Sequence, residues 1–76
     1  MKEMHRFEKV MEGHRKFYEL TVSISSTKCS VVATYGKIGS RGIVDVKYKG
    51  LSGNKAWEVY RFHAHRRYLH GYEKVR

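Results

Sequence analysis

Cys29-Ser30-Val31-Val32-Ala33-Thr34-Tyr35-Gly36-Lys37-Ile38-Gly39-Ser40-Arg41-Gly42-Ile43-Val44-Asp45-Val46-Lys47-Tyr48-Lys49 is the stretch that decides the fold. At its start Cys29, Val31, Ala33 and Tyr35 recur at every second position, the period of a half-buried strand. At its end Val44, Val46 and Tyr48 alternate with Asp45, Lys47 and Lys49, the clearest alternation in the chain. That pattern assigns the two valines and the tyrosine to an apolar face, and both lysines with the aspartate to a polar one. Between the two runs, Gly36, Gly39 and Gly42 suit a backbone that turns tightly or takes positive φ.

Upstream, Tyr18, Leu20, Val22 and Ile24 alternate with Glu19, Thr21 and Ser23, and Ser25-Ser26-Thr27-Lys28 reads as a short hairpin turn. Phe7 and Val10 sit in a weaker candidate strand, with Gly13 marking the turn into the next. Downstream the period changes. From about Asn54 to His70, Ala56, Trp57, Tyr60, Ala64 and Tyr68 recur at intervals of three and four, with Val59 flanking, which is one stripe of an amphipathic helix. Ser52 is placed to cap its start, although Lys55 stands where a capping box has Glu or Gln. Gly71 is placed to end it, and basic residues in the last turns complement the helix dipole. Tyr72 to Arg76 is long enough for a closing edge strand. The expected fold is α+β: a small antiparallel sheet of three to five strands with one helix packed across one face.

A chain of 76 residues that is 41% hydrophobic suits a single domain, residues 1–76, with one small core. No apolar run is long enough to span a membrane or to form a secretory signal, so no membrane partner is expected. The single cysteine, Cys29, has no partner for an internal disulfide and reads as a small core residue. The cytoplasm is the default compartment, with nucleoid association if the chain is bacterial and a nuclear location if it is eukaryotic.

Charge points to the partner. Sixteen Lys and Arg against seven Asp and Glu give a net charge of +9, which attracts polyanions. Residues 1–20 are nearly balanced. The excess lies in Lys37, Arg41, Lys47 and Lys49 against Asp45, and in Lys55, Arg61, Arg66 and Arg67 against Glu58, with His63, His65 and His70 beside the second group. A charge added only for solubility is the bland alternative.

Catalytic and metal chemistry find no pattern. There is no Ser-His-Asp order, no paired-carboxylate site and no phosphate-loop motif, so no enzyme activity and no cofactor are expected. His63 and His70 are seven apart with His65 off their face, which lacks the i, i+4 pairing of a helical zinc site. No metal is expected either.

The octet Tyr35 to Gly42 resembles the signature of WGR domains, which read Trp-Gly-Arg, then Ile or Val, Gly, two variable residues and Gly. These domains occur in DNA-dependent poly(ADP-ribose) polymerases and in small bacterial proteins. His5-Arg6-Phe7-Glu8 looks like the family's Arg-Arg-Phe-Glu opening, Lys16-Phe17-Tyr18-Glu19-Leu20 like its Lys-Phe-Tyr/Trp-Glu strand, and Gly71-Tyr72 like its Lys-Gly-Tyr close. Order and spacing match over nearly the whole chain. Two positions depart: Tyr35 stands for the Trp and Lys37 for the Arg. Tyrosine keeps a flat ring of smaller area, and lysine keeps the charge without the planar fork of arginine.

The resemblance implies a non-catalytic module that binds nucleic acid, DNA rather than RNA, through backbone and end shape. The candidate interface comprises Tyr35, Gly36, Lys37, Gly39 and Arg41 of the octet, Lys47 and Lys49 of the next strand, and Arg66 and Arg67 of the helix. Tyr35 would stack on a sugar or base, worth about 1–3 kcal/mol for such aromatics, or fill the core with Val31 and Ala33, whose parity it shares. The glycines would aim N–H groups at phosphates. The competing reading is a protein-interaction adaptor whose basic face docks an acidic partner or a neighbouring domain.

Overall fold

Residues 1–76 are described by a computed structural model. The alternating stretches form strands β1 (Lys2–Met11), β2 (His14–Ile24), β3 (Cys29–Lys37) and β4 (Ile43–Gly50), followed by helix α1 (Gly53–Leu69) and a short strand β5 (Glu73–Lys74). All neighbouring strands are antiparallel, in the order β4-β3-β2-β1-β5. Consecutive hairpins build a four-stranded meander, and α1 carries the chain back so that β5 closes the far edge on β1. This is the expected α+β architecture, at the five-strand end of the range.

The turns set the register. Ser25 closes the β2–β3 hairpin: its N–H donates to the Lys28 carbonyl at 3.0 Å, and its hydroxyl donates to the same carbonyl at 2.8 Å while accepting from the Lys28 N–H at 3.0 Å. Leu20 is thereby held opposite Ala33, and Val22 opposite Val31. Tyr18, Leu20 and Val22 join Cys29, Val31 and Ala33 on one face, where Phe7 and Ala56 complete the buried core. Ala56 is fully buried, and its lack of bulk lets α1 lie close to the sheet. Fully buried side chains of the size of Leu20 and Val31 each contribute about 1.5–3 kcal/mol.

Both ends of α1 are capped as the sequence implies. The Ser52 hydroxyl accepts from the Lys55 N–H at 3.1 Å. At the other end Tyr72 N–H donates to the Arg67 carbonyl and Gly71 N–H to that of Tyr68, the paired bonds of a Schellman close, with Gly71 at φ +87.

Two expectations about faces are overturned. In β4 the pairing slips between Val31 and Val32: Val31 faces Tyr48 but Val32 faces Val46, which leaves Lys47 as an inserted residue. A bulge of this kind shifts the side-chain parity by one. Asp45, Lys47 and Tyr48 therefore turn toward the helix, while Val44 and Val46 turn away from it, 65% and 56% exposed. Of the supposed apolar face of the strand, the two valines are uncovered and only Tyr48 packs against the core, while Lys47 and Lys49 lie on opposite sides of the sheet. In α1, Tyr68 lies off the packed stripe at 68% exposure. Arg67 takes its place, since 56, 60, 63 or 64, and 67 also follow helical spacing and the guanidinium finds tyrosine rings beneath it.

Candidate nucleic-acid interface

Cross-strand register assembles the site. Closing the first hairpin at Glu12-Gly13 sets Lys9 opposite Lys16, and closing the second over Ser25–Lys28 sets Lys16 opposite Lys37. Three lysines on three adjacent strands thus form one row on the helix-facing side at one end of the sheet. Cβ atoms of such directly opposed residues are about 4.5–5.5 Å apart, and like charges placed so destabilise the pair. None of the three forms an ion pair. Lys9 lies against Gly71 at the carbonyl end of α1, where the helix dipole favours a cation. Lys16 and Lys37 have no such compensation.

The next row inward is aromatic. Phe7, Tyr18, Tyr35 and Ile43 stand side by side on successive strands. Tyr18 and Tyr35 are stacked, with centroids 5.5 Å apart and planes 17° apart, and Tyr72 meets Tyr18 edge-on at 6.4 Å. The Arg67 guanidinium lies 4.3 Å from the Tyr18 ring centroid and 5.3 Å from that of Tyr72. Its Nε is buried without a hydrogen-bond acceptor.

Except for Lys9 and Phe7 at the β1 edge, these rows line an open cleft of about 460 Å³ that holds Lys16, Lys37, Lys47 and Arg67 as cations and has no carboxylate in its wall. Lys47 is partly compensated, because its ammonium donates to Asp45 at 2.6 Å and that bond raises its pKa. His63 lies nearby. Burial first, and then Lys47, Arg67 and Arg66, push its pKa below the usual histidine value. The helix presents its carbonyl end here, whose dipole repels anions, so any attraction comes from side chains.

The nine residues singled out in the sequence divide. Tyr35, Gly36, Lys37, Lys47 and Arg67 line the cleft. Gly39 and Arg41 do not: their loop folds over Phe17, on the face away from the helix. Gly42 there has φ +81, and a Cβ on it would sit 2.7 Å from the Tyr35 carbonyl oxygen and 2.8 Å from Phe17 Cζ. Two of the loop's amides are consumed internally, Ile38 N–H by Arg15 and Ser40 N–H by Lys37. Lys49 lies opposite Ser30 on the far side of the sheet, and Arg66 is exposed beside Phe62. Tyr35 serves both roles considered for it, half-buried against Tyr18 and part of the cleft wall.

Sequence reasoning missed Lys9, Lys16, Tyr18 and Tyr72. The signal for the first three was the register, which the two hairpin turns determine. Trp57 packs against the core, edge-to-face with Tyr60, and Cys29 is buried. No three His, Cys, Asp or Glu side chains come together. No helix is long and apolar enough to cross a membrane.

Among curated proteins and among solved structures, no match to the chain is found. The family model of the WGR domain, in contrast, matches residues 1–76, the whole chain. With the strand order, the helix across one face and the glycine loop between β3 and β4 in place, the protein belongs to the WGR domain family.

Proposed function

We propose that this protein is a non-catalytic module that binds nucleic acid, DNA rather than RNA, through the cleft between α1 and the lysine end of the sheet. The supporting observation is the row Lys9-Lys16-Lys37 beside the stacked pair Tyr18-Tyr35. A fold gains nothing from like charges lined up across three strands, whereas a phosphate chain crossing that row relieves their repulsion. Arg67, fixed over Tyr18, adds a guanidinium charge to the cleft wall. The tyrosines offer flat surfaces for a sugar or an unpaired base. Contacts to backbone phosphates position a ligand without reading its sequence, so recognition here is by charge and shape.

Fluorescence-anisotropy titration of duplex and single-stranded DNA tests this reading. Lys37→Ala and Arg67→Ala are each expected to weaken binding about fivefold or more, a loss in the range of one charge-assisted hydrogen bond. Lys28→Ala, at the opposite end of β3, is expected to leave it nearly unchanged. Equal effects of all three would mean diffuse attraction to net charge and would remove the cleft from the proposal.

A further inference from the structure

In register, β3 makes its last pair with β2 at Lys37 and Lys16. The β1–β2 hairpin runs on past that pair through Arg15 and His14 to the turn at Gly13. Ile38 folds back against this overhang, its N–H donating to the Arg15 carbonyl at 3.0 Å. Between them lies a second open hollow, of about 440 Å³. Val10, Met11 and Ile38 give it an apolar wall, and Arg15 gives it a cation. Lys16 and Lys37 stand in the walls of both this hollow and the cleft, so the two meet at that pair. None of these three cations forms an ion pair. Of the carboxylates at this end of the sheet, Glu12 lies in the hairpin turn outside the wall. Glu8 and Glu73 line a separate hollow that meets this one only at Val10.

We propose that this second hollow seats a base of an unpaired DNA strand whose backbone crosses Lys16 and Lys37 from the cleft. This rests on nucleic-acid binding at the cleft and adds the form of ligand that the chain holds most fully. Successive side chains on one side of a strand are about 6.8 Å apart. The tyrosine row, the lysine row and the hairpin overhang therefore follow one another in short, even steps. A phosphate held between Lys16 and Lys37 has the Tyr18–Tyr35 stack on one side and the apolar hollow on the other. Val10 and Met11 are more than half exposed there, and burying apolar surface of this kind is favourable. Sugars and phosphates offer it nothing apolar, and in a duplex the base faces are hidden in the stack. An unpaired strand can turn a base face into the hollow while its phosphates stay on the lysines. Arg15 then meets the phosphate that follows. Duplex DNA engages the cleft alone, whereas an unpaired strand engages both hollows.

Fluorescence anisotropy with an oligothymidylate of about eight nucleotides, within the range of sites for small single-strand binders, and with a blunt duplex tests this. Val10→Thr with Met11→Gln changes no charge and alters two exposed positions, and circular dichroism checks that the fold is kept. This variant is expected to weaken oligothymidylate binding about fivefold or more and to leave duplex binding nearly unchanged. Arg15→Gln is expected to make the oligothymidylate salt dependence shallower by about 0.7 in log–log slope, the share of one phosphate, with the duplex slope unchanged. Lys37→Ala, which borders both hollows, weakens both ligands. If the Val10/Met11 variant weakens both ligands alike or neither, or if Arg15→Gln leaves the oligothymidylate slope as it was, the second hollow is overturned. The cleft then stands provided that Lys37→Ala still weakens binding. A wild-type chain that binds neither ligand overturns the cleft and the hollow together.

Discussion

Lys16 stands between Lys9 and Lys37 with no carboxylate to compensate it, and this makes stability and binding respond to it in opposite directions. Lys16→Gln removes like-charge contacts worth about 0.2–1 kcal/mol. Urea unfolding at low salt is expected to show a gain of that size, while DNA affinity falls. Loss of both, or no change in either, would mean that the row carries no unrelieved charge. Gly42 answers to geometry. Its positive φ and the 2.7 Å approach a Cβ would make to the Tyr35 carbonyl oxygen mean that Gly42→Ala costs about 2 kcal/mol or more in the same assay. His63 supplies the pH dependence. Its pKa is lowered in the folded chain, so below about pH 6.5 the unfolded chain binds the proton more readily. Its contribution to stability is therefore present above that pH and is lost as pH falls through the window. His63→Gln is expected to flatten that fall. A phosphate in the cleft opposes the neighbouring cations and raises the His63 pKa, which NMR titration with and without DNA reads directly.

At the scale of elements, the capped helix tests the local reading. Ser52→Ala leaves the Lys55 N–H without its acceptor and is expected to cost about 1 kcal/mol of stability with little effect on DNA binding, because the cleft lies at the other end of α1. The sequence revealed these caps, all five strands and the helix, because each rests on spacing or on a residue type with a local physical role. The face that β4 presents was not legible. A bulge inserts one residue with no signature of its own and shifts the parity across it, so the most regular alternation in the chain was right for Tyr48 and wrong for Val44 and Val46. The helix stripe had a related ambiguity. Positions 67 and 68 both satisfy a three-or-four spacing, and hydrophobicity favours the tyrosine. Only the tyrosine rings of β2 and of the segment after α1 explain why the arginine lies inward. The lysine row was readable, since the turn positions fix the register. It was missed because charge was counted along the chain and not across strands.

Over the whole molecule, the +9 charge is unevenly used: of the four cations in the cleft only Lys47 has a carboxylate partner, whereas the opposite sheet face pairs Arg6 with two glutamates. Net charge alone would attract any polyanion weakly, but a cleft that seats a phosphate chain releases a definite number of counterions. The most direct test is duplex DNA affinity as a function of salt, for the wild-type chain and for Lys16→Gln/Lys37→Gln. With about three to four phosphates engaged, log affinity against log salt is expected to fall with a slope of about −3, and the double variant to lose close to two units of it. A slope near zero, or one that the double variant leaves unchanged, would contradict nucleic-acid binding at this cleft.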